Sequence, residues 1–261
     1  MVPVKYHIDT IPVWDSLKLE GECLLCALHR KTELGEAERY LGASVMEPDT
    51  RIQVNDKGFC PHHHAMLFSM SNRLGHALML ESHLTETRRR TEKAFAALQK
   101  AAHAYSSASM LERLKKGSAA RADMEKIAEE LSTMASSCIL CDSIQENMDR
   151  YLHTFFHLYQ NDTEFRNKFN ASKGVCLPHM ATLIQWAPQE LPAKDVADFI
   201  TRLTDMETQN LNRMQDDISW FIKKFDYRYL DEPWYNSQDA VERTVNKLRS
   251  WCVGQEPNPK E

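Results

Sequence analysis

Two short stretches constrain this chain more than its composition does: Cys60-Pro61-His62-His63 and Cys176-Leu177-Pro178-His179. Each follows a Lys-Gly dipeptide and one apolar residue, at Lys57-Gly58-Phe59 and Lys173-Gly174-Val175. A Cys-x2-Cys pair stands upstream of each, Cys23 with Cys26 and Cys138 with Cys141. The gaps match as well, with 33 residues between Cys26 and Cys60 and 34 between Cys141 and Cys176. Packing alone rarely yields two matched sets of three cysteines and a histidine, whereas a tetrahedral metal site is built from two such local pairs. The sequence therefore predicts two sites, Cys23, Cys26, Cys60 and His63 in the first half and Cys138, Cys141, Cys176 and His179 in the second. A complete set within each half favours this grouping over ligand pairs that cross between halves.

The choice of histidine follows from helical phase. At about 100° per residue, His63 shares a face with Leu67, Met70 and Leu74, while His62 points to the opposite side and His64 to a flank. In the second half only His179 aligns with His63, and it shares its face with Leu183 and Trp186. Placement at helix N-termini favours thiolate over thiol, because free N–H groups and the positive dipole end face the sulfurs. Three thiolates and one imidazole around Zn2+ carry a net charge of −1, which those N–H groups together with Lys57 and Lys173 are expected to offset. Zinc suits this donor set, two ions in all, and an iron–sulfur cluster is the alternative cofactor.

The rest of the chain reads as helical. Only eight glycines occur, no proline lies between Pro61 and Pro178, and no Asn-Gly hairpin signal appears. Apolar residues recur at helical spacing from Leu24 to Leu41, in a long helix from Pro61 toward Ala104 bent near Gly75, and from about Arg121 to Met134. The same spacing recurs after Cys141, from Pro178 to Pro188, from Lys194 to about Tyr229, and from Gln238 to Trp251. The segment from Gly42 to Phe59 reads as a loop, and the N-terminal residues as an arm or short helix anchored by Ile8, Ile11, Val13 and Trp14. The cysteine sets repeat with a period of 115 to 116 residues, too long for a solenoid. The expectation is an all-α protein of two pseudo-repeats, residues 1–117 and 118–261, packed as one globule and divided near Lys116-Gly117-Ser118. Each repeat carries a long helix after its Cys-x2-His motif and one metal site.

Composition sets outer bounds. With 43% hydrophobic and 26% charged residues the chain is an ordinary globular one. A net charge of −5 argues against broad capture of nucleic acid, and Arg88-Arg89-Arg90, among Glu81, Glu86 and Glu92, reads as a solvated face. No signal-like or membrane-spanning stretch is found, so a cytoplasmic location is expected, where thiols stay reduced and paired cysteines serve metal or redox chemistry. Cys252, the seventh cysteine, reads as a buried or half-buried structural thiol. His153 with His157, and His76 with His83, read as exposed histidines off the apolar face. The methionines read as core filler, and Glu47-Pro48-Asp49 with Arg51 as a loop tied down by its own charges.

The stretches Leu41-Gly42-Ala43-Ser44-Val45-Met46-Glu47-Pro48-Asp49, Lys57-Gly58-Phe59-Cys60 with His63, and Asn72-Arg73-Leu74-Gly75-His76-Ala77-Leu78 go together with the two Cys-x2-Cys pairs. In this combination the chain resembles an uncharacterised bacterial family, domain of unknown function 6062, over nearly its whole length. The resemblance implies a bacterial, cytoplasmic setting and supplies no activity, substrate or catalytic residue.

Four-ligand sets close a tetrahedron and leave no position for substrate. No Gly-x-Ser-x-Gly, phosphate loop or His-Glu-x-x-His is present. The reading that follows is a zinc-stabilised binding or scaffold module rather than an enzyme, with no catalytic residue assigned. Its unknown partner, a protein or small molecule, is expected in a groove between the long helices Met66–Ala104 and Val196–Phe225, with no membrane or nucleic acid involved. The alternatives are an iron–sulfur protein and a thiol-redox or metal-sensing protein.

Overall fold

The computed structural model describes residues 6–109 and 119–254, and every regular element among them is helical. In chain order these are α1 (Tyr6–Lys18), α2 (Leu24–Leu41), α3 (Pro48–Lys57), α4 (Pro61–Ser69), α5 (Arg73–Ser107) and α6 (Ala119–Ser136). They continue as α7 (Ile139–Asn161), α8 (Thr163–Asn170), α9 (Leu177–Glu190), α10 (Ala193–Lys223) and α11 (Ala240–Arg249). The chain is all-α, as its spacing of apolar residues predicts.

Four local expectations change. The presumed loop from Gly42 to Phe59 is mostly helical, a 3-10 turn at Ala43–Met46 followed by α3. Pro48 sits in the first turn of α3, where its missing N–H costs nothing. The long helix from Pro61 is two helices, broken at Met70 to Asn72, because Asn72 caps α5 by accepting the Gly75 N–H at 2.9 Å. That break resets the helical phase, so Leu74, expected on the face of His63, is 71% exposed. At the N-terminus α1 buries Val13 and sets Trp14 edge-on against Phe165, but leaves Ile8 and Ile11 exposed.

The described residues separate into two compact units, one drawn from both ends of the sequence and the other from its middle. One joins the segment ending at Thr32 to Glu146 and beyond, and the other is Glu33–Gln145. The expected boundary at Lys116-Gly117-Ser118 lies outside the described residues. In the first unit Phe155, Phe156, Phe165, Phe169 and Phe199 are almost wholly buried, each contributing roughly 1.5–3 kcal/mol of apolar burial. Phe155 packs edge-on against Phe156, Phe165 and Phe169 with centroids 4.9–5.6 Å apart. Asp162 starts α8 by accepting the N–H groups of Glu164 and Phe165 at 2.9 and 3.0 Å. The second unit has its core where the C-terminal end of α2 meets α3, α4 and the start of α7. There Tyr40, Leu41, Val54, Phe59 and Leu67 cluster with Ile139 and Leu140, and α5 runs beside α3 and α6.

Candidate metal centres

Each unit gathers one four-residue cluster. In the first unit it is Cys23, Cys26, Cys176 and His179, and in the second Cys60, His63, Cys138 and Cys141. All eight residues singled out by the sequence are brought into clusters, but the grouping within halves is wrong. Every Cys-x2-Cys pair meets the Cys-x2-His of the other half. Connectivity supplies the reason. Cys26 stands in the first turn of α2, whereas Phe59, next to Cys60, packs on Tyr40 in its last turn. With 18 residues at about 1.5 Å each, α2 is roughly 27 Å long. Its far end is instead met by the chain returning through α6: Ile139 N–H donates to the Gly58 carbonyl at 3.0 Å, and Ser137 Oγ donates to that of Lys57 at 2.7 Å.

All four ligand pairs have the same local design. Cys23, Cys60, Cys138 and Cys176 each stand immediately before a helix, and the second ligand of each pair lies three residues on, in the first turn. Two helix N-termini thus face each cluster, and their N–H groups and dipole ends oppose the negative charge of thiolates. Cys26 N–H lies 3.4 Å from Cys23 Sγ, and Cys141 N–H 3.5 Å from Cys138 Sγ. Lys57 and Lys173 do not provide the expected compensation: Lys57 is ion-paired with Asp142, and the Lys173 side chain is exposed.

The Lys-Gly-x-Cys turns are matched too. Gly58 and Gly174 have φ of +63° and +76°, a left-handed conformation that glycine adopts freely. A Cβ on Gly174 would lie 2.0 Å from Glu207 Oε1, and one on Gly58 2.6 Å from His83 Nε2. Glu207 holds the first of these turns in place. It accepts the Val175 N–H at 2.6 Å and pairs with Lys247 at 2.7 Å, and Lys247 also donates to the Lys173 carbonyl at 2.7 Å.

The distances suit a single ion. In the first centre Cys26 and Cys176 Sγ are 3.7 Å apart, and His179 Nδ1 lies 3.3, 3.5 and 3.1 Å from Cys23, Cys26 and Cys176. In the second, Cys60 and Cys141 Sγ are 3.8 Å apart, and His63 Nδ1 lies 3.3, 3.2 and 3.4 Å from Cys60, Cys138 and Cys141. Tetrahedral Zn2+ with bonds of about 2.3 Å to sulfur and 2.0–2.1 Å to nitrogen requires ligand edges of roughly 3.5–3.8 Å. The sulfur–sulfur edges match, and the sulfur–nitrogen edges fall a few tenths of an ångström short. All of these cysteines are free, and the sulfurs stand well beyond the ~2.05 Å of a disulfide.

Even without an ion the protons are unevenly shared. Hydrogen bonds from Cys23 and Cys26 hold Cys176 far below the ordinary thiol range. Burial pushes Cys23 well up, and Cys26 rises chiefly because it donates to Cys176. In the second centre burial pushes Cys138 up, but hydrogen bonds from His63 and from the Cys141 and Cys60 amides outweigh it and hold the thiol at about 6. Burial lowers His63, yet its bonds to Cys138 and Glu33 prevail and raise it to about 10. Each cluster thus stabilises one thiolate at a place where a cation is wanted.

The centres differ in cover. The turn after α11 closes the first, with Trp251 N–H donating to Cys26 Sγ at 3.3 Å and Ser250 Oγ 3.3 Å from Cys176 Sγ. Arg30 stacks on the Trp251 ring at 4.8 Å. In the second, His63 and Cys138 are buried, Cys60 is half-buried and Cys141 is exposed. Behind it stands buried Glu33, whose Oε1 is 3.5 Å from His63 Nε2 and 2.7 Å from His62 Nε2. A carboxylate beside Nε2 favours a proton there and leaves Nδ1 facing the three sulfurs.

Glu33, Glu207, Lys247, Ser250 and Trp251 were not singled out by the sequence. Glu207 carried a signal: it lies on the apolar stripe of α10, among Leu203, Met206 and Met214. His76, expected to be exposed, is buried and stacks on His64 at 5.4 Å, a consequence of the break before α5. His153 is half-buried, paired with Glu190 at 2.8 Å and edge-on to Trp186. Cys252 is exposed rather than buried, since α11 ends before it and the chain turns outward. Arg89 and Arg90 bond Glu86, and Arg90 also Asp56, as a solvated face does.

Fold and clusters together define a class: a helical protein whose units each converge three thiols and one imidazole at paired helix N-termini, able to hold a metal ion. Within that class the chain belongs to the family of unknown function DUF6062, whose model matches residues 4–255. No curated protein and no solved structure matches it. No helix among the described residues is long and apolar enough to cross a membrane.

Proposed function

We propose that this is a zinc-stabilised helical protein holding two ions, one through Cys23, Cys26, Cys176 and His179 and the other through Cys60, Cys138, Cys141 and His63. The observation that carries this reading is the convergence of four donor atoms within 4.8 Å of one another in each cluster. That compactness suits one ion and leaves no room for the several irons and bridging sulfides of a cluster. Thiolate-rich sets with one imidazole select zinc among the common divalent ions. The ions serve structure: each clamps two helix N-termini that the sequence brings together from far apart. With every position of the tetrahedron filled by protein, the centres support a binding or scaffold role in the cytoplasm, toward a protein or small-molecule partner.

Elemental analysis of protein purified without metal-affinity resin tests this directly. Two zinc ions per chain are expected, and chelation should loosen the helices around each centre. Full helicity after complete metal removal would overturn the structural role, and charge-transfer absorption in anaerobically purified protein would point instead to iron and sulfide.

A further inference from the structure

The two centres differ in the property that governs thiolate reactivity, which is access. In the first, Cys23, Cys26 and Cys176 are 3%, 4% and 0% exposed, beneath the turn that follows α11. In the second, the two least buried ligands, Cys60 and Cys141, come from different helices and already stand 3.8 Å apart. Oxidation of cysteine follows thiolate character and exposure. Zinc ligation makes both Cys60 and Cys141 thiolates, and an exposed thiolate with a second beside it has both what attacks a peroxide and what resolves the product. Cys138, the remaining sulfur of this centre, is buried behind them.

Resting on the zinc reading above, we propose that Cys60 and Cys141 form an oxidation site: a hydroperoxide joins them in a disulfide, and the second centre releases its ion while the first keeps its own. The step balances. The Cys141 thiolate attacks one peroxide oxygen, the O–O bond breaks, and the leaving hydroxide takes a proton to become water. The Cys60 thiolate then attacks the resulting sulfenic sulfur, the S–O bond breaks, and a second water leaves. Two thiolates have supplied two electrons, hydrogen peroxide has accepted them with two protons, and Zn2+ departs unchanged in oxidation state. The sulfurs close to about 2.05 Å, and Cys138 and His63 alone make an incomplete site. A thiol reductant and zinc reverse the change.

The test uses the full chain with Cys252→Ser, which removes the exposed thiol outside both centres. Zinc-loaded protein is exposed to limiting hydrogen peroxide while released zinc is followed with a chromogenic chelator, and disulfides are mapped on non-reduced peptides. The expected result is loss of one zinc of two, a Cys60–Cys141 linkage, unmodified Cys23, Cys26 and Cys176, and recovery of two zincs after reduction. Cys141→His, which keeps a ligand but removes the thiol, should retain both ions through the same exposure. Release of both ions together, release of neither, or a linkage of Cys138 with Cys141 would overturn the proposal. If Cys141→His fails to fold, the map on the parent decides alone. Protein that holds no zinc at the outset overturns the reading of the centres themselves, whereas two zincs that leave together sink only this proposal.

Discussion

On the zinc reading, serine at position 26 removes one of four ligands from the first centre and nothing from the second. Structural zinc sites contribute about 10–16 kcal/mol at neutral pH, so one ligand in four carries roughly 3–4 kcal/mol, or about 10²–10³ in affinity. Under a chelator that leaves the parent protein with two zincs, Cys26→Ser should hold one. The informative step is the second substitution. Cys26 and Cys176 have sulfurs 3.7 Å apart and face the same imidazole, so Cys26→Ser with Cys176→Ser should still hold one zinc, because both changes damage the same site. Cys60 belongs to the other unit and contacts His63 and Cys141, so Cys26→Ser with Cys60→Ser should hold none. Zinc per chain by elemental analysis reads the outcome. Differential alkylation under limiting chelator supplies a second readout, in which Cys23, Cys26 and Cys176 become reactive as one group and Cys60, Cys138 and Cys141 as another. A Cys26/Cys60 double variant that keeps one zinc, with a Cys26/Cys176 variant that keeps none, would refute the crossed pairing.

Three further outcomes follow from named contacts. Gly174→Ala should destabilise more than Gly58→Ala in chemical denaturation. Both put an alanine at positive φ, at ~1–3 kcal/mol. At 58 the Cβ meets the half-buried His83, but at 174 it displaces Glu207 from its buried pair with Lys247, a further ~3–5 kcal/mol. Glu33→Ala should weaken zinc at the second centre about ten- to a hundredfold, less for Glu33→Gln, and leave the first centre unchanged in chelator competition. On α5, hydrogen bonds from Arg89 and then Arg90 lower Glu86 to about 2. A depressed carboxylate contributes above its ordinary value and loses that contribution as pH falls through the depressed one, so its carboxyl carbon resonance should titrate near pH 2 rather than near 4.5.

Much of this was legible locally. The apolar spacing located the long helices, and helical phase selected His63 and His179 because both stand in the first turn after their cysteine, where phase is fixed by a proline-marked start. The failures have local causes as well. Pro48-Asp49 is the same kind of helix start as Pro61, yet the polar run through Asn55-Asp56-Lys57 conceals the two buried residues, Thr50 and Val54, that hold α3 down. Asn72 is a helix cap inside what looked like continuous apolar periodicity. The phases carried across it to Leu74 and His76 were off by the angle the break inserts. Lys247 lies on a short polar helix, and its burial is accounted for by partners distant in sequence, the Glu207 carboxylate and the Lys173 carbonyl.

The pairing of ligands was beyond local reading for a different reason. Duplicated motifs in the order Cys-x2-Cys, Cys-x2-His, Cys-x2-Cys, Cys-x2-His admit either a side-by-side or a nested arrangement, and sequence spacing is identical in both. What decides is the helix that follows each Cys-x2-Cys. α2, of 18 residues, has Cys26 in its first turn and ends at Tyr40 and Leu41. In Glu33–Gln145 that far end of α2 is where Phe59 packs and where Ile139 bonds the Gly58 carbonyl, so the cysteines that begin α7 are the ones at hand. Each half of the sequence therefore completes the other's cluster as exchanged elements do in a swapped dimer, here within one chain.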